Sequence, residues 1–245
     1  MLPAAALLLV PLPQASPAPE AVSLPARIHR IVLHTPGGPF YRDPARRFRY
    51  GTPGETFALW KDRFGAHWIV WTDGSLWPRH PRPHEPRSVV PPVDRPLDEA
   101  WRRRLAADAR PVYSHVQGRN QDTVGIEVSH SGRSDDPFPE AQAKTVAWLV
   151  RALLELSNGR LTPADVVGHK DLDDRPAFEP DGCREGCPYY ADDAGRPYRR
   201  RVDPPEGLFE ALAREGLVIP RPGAGDDELR RAQAIPDDRV PRLVR

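Results

Sequence analysis

The sequence predicts an α/β fold: a central mixed β-sheet flanked by helices, with a site in a cleft at the strand ends. Three observations carry that expectation. Arg30-Ile31-Val32-Leu33-His34 and Asp165-Val166-Val167-Gly168-His169 are short apolar runs, each ending on an imidazole at the C-terminal end, where α/β sheets commonly place their sites. Ala66 to Trp71 and Leu76-Trp77 flank Thr72-Asp73-Gly74-Ser75, an Asp-Gly turn between two apolar runs and therefore a hairpin signature. Pro139 to Ser157 places Val146, Leu149, Val150, Leu153 and Leu154 at helical spacing and stops on Asn158-Gly159.

Taken in order, residues 1–21 are an apolar run, Leu2 to Leu12, followed by small residues around Ala15, Ser16 and Ala18. That run is too short to span a bilayer and has the core of a secretory signal, although no Lys or Arg precedes it; the other reading is a Pro-rich leader without a fold. On the first reading the protein is exported, periplasmic or extracellular. In the domain expected over residues 22–219, Ile28 to Thr35 reads as a central strand with Val32 and His34 on one face and Ile31 and Leu33 on the other. Thr52-Pro53-Gly54-Glu55 reads as a capped helix start, with Phe57, Leu59 and Trp60 facing inward.

Residues 78–96 are rich in proline and without period, a loop wrapping a sheet edge. Leu97 to Ala109 reads as an amphipathic helix whose Arg102, Arg103 and Arg104 form a solvated face. Val112-Tyr113-Ser114-His115 and Thr123 to Val128 read as two strands. In the second, Val124, Ile126 and Val128 share one face while Thr123, Gly125 and Glu127 share the other, which leaves room beside Glu127. Glu206 to Glu215 is a final short helix using Leu208, Phe209 and Leu212, and residues 220–245 read as a disordered tail.

Composition narrows the function classes. Lys plus Arg number 35 and Asp plus Glu 34 in 245 residues, a net charge of +1, so no global field favours nucleic acid or an acidic membrane, and the partner must be recognised locally. No stretch is apolar enough for a membrane span, and a monomer with one sizeable core is expected. The 31 prolines imply long extended connections rather than a helical bundle. Cys183 and Cys187 stand close enough to close a small loop; in an exported chain a disulfide is the expected state, ahead of half a structural zinc site.

Two strands ending on His34 and His169, with Arg201-Val202-Asp203-Pro204 downstream, present two imidazoles and a carboxylate, the ligand types of a catalytic zinc with one position left for water. A lone strand-end histidine is more often a packed or solvent-facing residue. Here two occur with a carboxylate-bearing strand between them. His29, His80, His84 and His130 lack the strand-end context and read as surface residues.

These pieces in this order resemble the zinc-dependent N-acetylmuramoyl-L-alanine amidases, the amidase-2 family whose fold is shared with peptidoglycan recognition proteins and phage T7 lysozyme. The resemblance runs from about Ile28 to Gly216 and is carried by Ile31 to His34, Ala66 to Ser75, Ser114-His115 with Asn120, Val124-Gly125-Ile126-Glu127, and Val166 to His169. It implies zinc on His34, His169 and Asp203, with Glu127 moving protons, Arg201 stabilising the oxyanion, and His115, Asn120 and His67 lining the cleft for a peptidoglycan or muropeptide substrate. His67 has an alternative, structural role on the hairpin.

Two departures bear on that reading. The family's Lys-x-Asp-Pro-Gly reads Arg201-Val202-Asp203-Pro204-Pro205, and an insertion at about 171–200 separates His169 from Asp203. Asp181 and Cys183 therefore compete as third ligand by spacing, while only Asp203 has a cation two residues before it, a proline after it and a short helix beyond. The competing function is a non-catalytic peptidoglycan-binding module on the same fold.

Overall fold

The computed structural model describes residues 22–35, 41–42, 48–49, 65–80, 82–116, 118–130, 136–172 and 203–221. The strands are β1 (Arg30–His34), β2 (Tyr41–Arg42), β3 (Phe48–Arg49), β4 (Trp68–Val70), β5 (Leu76–Pro78), β6 (Thr123–Val128) and β7 (Val166–Gly168). The helices are α1 (Glu99–Asp108), α2 (Glu140–Leu156) and α3 (Glu206–Arg214), with short 3-10 turns at Pro163–Asp165 and His169–Leu172. Strands β2 and β3 form a separate antiparallel pair. The other five make one sheet in the order β5-β4-β6-β1-β7. In it β1 runs parallel to both β6 and β7, β4 runs parallel to β6, and β5 runs antiparallel to β4. This is the mixed sheet with helices that the sequence predicts.

The two faces of the sheet do different things because side chains alternate along each strand. Ile31, Leu33, Trp68, Val70, Val124, Ile126, Val128 and Val166 point into a single core shared with Leu105 of α1, Leu149 and Leu153 of α2, and Leu208 and Leu212 of α3. Each fully buried leucine or isoleucine there contributes roughly 1.5–3 kcal/mol, so this face holds the domain together. The opposite face carries His34 and Glu127, which are register partners on neighbouring parallel strands, together with Ile69 and Gly125.

Helix α2 is fastened to the sheet by polar bonds at its first turns. Gln142 Nε2 donates to Val70 O at 3.1 Å and to Ser129 O at 2.7 Å, where β4 and β6 end. Thr145 Oγ1 donates to Gly74 O at 2.7 Å in the hairpin turn. Gly74 sits at φ +84°, and a Cβ there would lie 2.8 Å from Ala141 O, so both the turn and the helix contact require glycine. At its other end α2 stops where Asn158 and Gly159 take positive φ, as the sequence predicts.

Several expectations are corrected. Val112 to His115 is not a strand; it runs as an irregular segment, its backbone bonded to the Asn120 side chain instead of to a sheet. Helix α1 begins at Glu99, not Leu97, because Asp98 caps it by accepting from Trp101 N at 2.8 Å. Its arginines are not simply a solvated face: Arg104 pairs with Glu85 at 2.9 Å and stacks on Trp101, and Arg102 pairs with Glu155 of α2. The proline-rich loop does wrap an edge, since Val89 exchanges both backbone hydrogen bonds with Leu76 on β5. His130 is buried, 1% exposed, stacked on Phe138 and bonded to Asp136 O.

Asp171 and Leu172 complete the turn that His169 begins, and Arg221 is engaged in ion pairs. The leader 1–21, the helix expected after Thr52, Asp181, Cys183, Cys187 and Arg201 lie outside the described residues. No helix among the described residues is long and apolar enough to cross a membrane.

Candidate metal centre

Strands β1 and β7 are neighbours, so their C-terminal ends bring His34 and His169 to the same edge of the sheet. Asp203 joins them from the segment that leads into α3. Its backbone O accepts from Lys170 N at 2.8 Å, which fastens it directly beside His169. His34 Nδ1 lies 3.1 Å from His169 Nδ1 and 3.6 Å from Asp203 Oδ2, and His169 Nδ1 lies 3.3 Å from the same oxygen. The group forms the one candidate cluster of metal-ligating side chains among the described residues.

Those spacings test the site against zinc. Tetrahedral ligands at bond lengths of about 2.0–2.2 Å stand about 3.3–3.6 Å apart, which the three atoms match to within 0.2 Å. The donor set of two imidazoles and one carboxylate leaves a fourth position open. Asp203 is 7% exposed and His34 3%. Burial alone would raise the Asp203 carboxyl's pKa, but His169 and His34 outweigh it and hold the group far below the usual carboxylate range. The three side chains thus converge on a buried point with the carboxylate ionised, which is what a divalent cation needs.

Glu127 stands beside the cluster, its Cα in register with that of His34. The other residues named from the sequence are brought to the same face but given different work. His67 is 1% exposed; its Nδ1 accepts from Gly125 N at 3.0 Å and its Nε2 donates to Pro111 O at 2.9 Å. Neither ring nitrogen remains for substrate, and burial pushes its pKa down to about 4. These bonds tie the ring to β6 and to the chain at Pro111.

His115 lies across Gly125, where a Cβ would fall 2.5 Å from its Nδ1. The room beside Glu127 is filled by this ring. His115 Nδ1 is 3.1 Å from His34 Nε2, and its Nε2 is 3.2 Å from Thr123 Oγ1. Burial, then the neighbouring histidines, push its pKa down to about 2. Asn120 Oδ1 accepts from His115 N and Val116 N, both at 2.8 Å, and so shapes the loop that presents His115.

Sequence reasoning missed a second group of residues. Lys170 Nζ bonds Glu206 Oε1 at 2.6 Å, and Arg221 grips both oxygens of Asp171 at 2.6 and 2.9 Å while reaching Glu206 at 3.2 Å. Asp171 Oδ2 in turn accepts from Gly168 N at 2.6 Å. The available signal was the Lys170-Asp171 pair directly after His169.

The family model for N-acetylmuramoyl-L-alanine amidase matches residues 24–189, more than half of the chain. The chain belongs to that amidase family. The matched span holds His34, Glu127 and His169 and ends before Asp203. A search of curated proteins finds no match. Among solved structures the chain is similar to the amidase AmiD from E. coli, which was solved with anhydro-N-acetylmuramic acid-L-Ala-D-gamma-Glu-L-Lys. The identity is 19%, over 87% of this chain and 65% of that one, with a TM-score of 0.42. It is similar to AmpDh3 from Pseudomonas aeruginosa at 14% identity over 95% of each chain, TM-score 0.38. It is also similar to the endolysin amidase LysCS from Clostridium intestinale at 17% identity over 64% of this chain and 82% of that one, TM-score 0.34.

Proposed function

We propose that this protein is a zinc-dependent hydrolase that cleaves the amide between the lactyl group of N-acetylmuramic acid and L-alanine in peptidoglycan. The observation that carries the reading is the convergence of His34, His169 and Asp203 at zinc-ligand spacing, in a member of the amidase family, with Glu127 in register beside His34. A zinc ion bound there supplies Lewis acidity, lowering the pKa of water to about 7 and polarising the scissile carbonyl.

The chain's own residues handle orientation and protons. Glu127 takes the proton of the attacking water as the C–O bond forms and delivers it to the alanine nitrogen as the C–N bond breaks, leaving a carboxylate on the sugar and a free amine on the peptide. Arg201, two residues before Asp203 in the sequence, is the cation suited to the oxyanion. Export by way of the leader would bring the monomeric protein to its substrate, and an oxidising compartment would join Cys183 to Cys187.

The deciding experiment incubates the metal-loaded protein with peptidoglycan and analyses the products by mass spectrometry. Peptides with free N-terminal alanine and no new reducing ends are expected, with one zinc per chain. New reducing sugars would establish glycosidase chemistry instead, and substrate binding without turnover would establish the binding module. Glu127→Gln is expected to keep the metal while losing about 10²-fold or more in turnover.

A further inference from the structure

We infer that His115 and Thr123 are positioning residues that set the tautomer of His34, so that its Nδ1 presents a lone pair to the metal cluster. The inference deepens the zinc reading and takes its purpose from it, but the geometry stands by itself. The Arg119 carbonyl can only accept, so Thr123 Oγ1, 2.6 Å away, spends its single proton there. Toward His115 the hydroxyl is then an acceptor, and the His115 Nε2 at 3.2 Å must carry the N–H. A neutral His115 protonated on Nε2 has its lone pair on Nδ1, which faces His34 Nε2 at 3.1 Å. That contact is a hydrogen bond only if His34 Nε2 is protonated, which leaves His34 Nδ1 bare. It is Nδ1 that points at His169 and Asp203.

The hydrogen bonds therefore run one way, from His34 through His115 and Thr123 to a backbone carbonyl that cannot reverse them. Each link is sheltered: Thr123 is 1% exposed, and the ring of His115 occupies the space that Gly125 leaves by lacking a Cβ. Metal-bound histidines hold their orientation through what the second ring nitrogen contacts, and loss of such a contact costs about 10- to 100-fold in metal affinity. Here that contact is a second imidazole, which could donate or accept, so the hydroxyl and carbonyl behind it determine which.

The test uses the full chain with Thr123→Val, which keeps the shape and removes the hydroxyl, and Thr123→Ser, which restores it. In the metal-free wild type, nitrogen-15 NMR of the imidazoles should show both His34 and His115 protonated on Nε2; in Thr123→Val the His34 signals should move toward a mixture of tautomers. Zinc affinity, measured by competition with a chelator, should fall about 10- to 100-fold in Thr123→Val and return to within about twofold in Thr123→Ser. A wild-type His34 protonated on Nδ1, or a Thr123→Val protein with wild-type tautomers and zinc affinity, overturns the inference. The wild-type NMR readout needs neither folded variants nor amidase activity. Failure of the peptidoglycan assay with the tautomers as stated would remove the amidase reading alone.

Discussion

The two sides of the metal cluster are held by opposite kinds of chemistry. Around His34 the support is uncharged: His115, Thr123 and, behind them, His67 form buried or part-buried hydrogen bonds whose direction matters. Around His169 and Asp203 it is ionic: Lys170, Asp171, Glu206 and Arg221 form a mostly buried network that ties the turn after β7 to α3 and to the chain beyond it. The difference follows from how the ligands arrive. His34 sits in the middle of a sheet between two parallel strands, where its position is already given and only its orientation needs control. Asp203 comes 34 residues after His169 in the chain, so its position has to be established by cross-links, and paired charges on both segments supply them.

The largest expected effect separates the cluster from both supports. Asp203→Ala should release the zinc and reduce amidase activity to background, because a site with two imidazoles alone is lost. Asp181→Ala and Cys183→Ser should each retain the metal. Metal analysis of the three proteins checks this, and zinc retained by Asp203→Ala but lost from either of the others would move the site into the insertion.

Acid should distinguish the uncharged side. His67 is buried neutral, with its pKa lowered from 6.5 to about 4. Its contribution is complete above pH 6.5, where folded and unfolded chains are both neutral at this group, and is lost as the pH falls toward 4 and the unfolded chain takes up the proton. The shift corresponds to on the order of 3 kcal/mol. Urea denaturation of the metal-free protein between pH 7 and pH 4 should show stability declining over that window, and His67→Gln should make the decline shallower. A variant with an unchanged slope would show that His67 does not carry it.

Salt should distinguish the ionic side, with the smallest effect. Arg221→Gln removes the grip on Asp171 and Glu206 and the stack over Phe209, where the guanidinium lies 3.8 Å from the ring centroid. The expected loss is about 1–2 kcal/mol at low ionic strength, since the pairs are partly buried and their desolvation offsets much of the attraction, and the part of the difference that is ionic should shrink in high salt. Thermal melts of both proteins at two salt concentrations measure it. A loss of equal size in high salt would assign the effect to packing on Phe209 instead.

What the sequence by itself determined is whatever repeats over a few residues. The apolar runs ending on His34 and His169, the Asp-Gly turn, the spacing of α2 and the alternation in β6 are all local patterns, and each element formed within the bounds they set, β7 stopping at Gly168 so that His169 opens the turn after it. Even the space beside Glu127 was legible, because Thr123, Gly125 and Glu127 fall on one face by parity alone. Only the tertiary structure decided what fills that space. His115, His67 and Asn120 were legible as candidates, but what the two histidines bond to lies far along the chain: His34 is 81 residues from His115, and Gly125 is 58 from His67. An imidazole can donate or accept at either nitrogen, so its identity leaves its role open until its neighbours are known. The same reason explains Val112 to His115, whose apolar start suggests a strand. Strand pairing requires an edge, and the edges of β6 are already taken by β4 and β1, so the segment crosses the sheet face and brings His115 to His34.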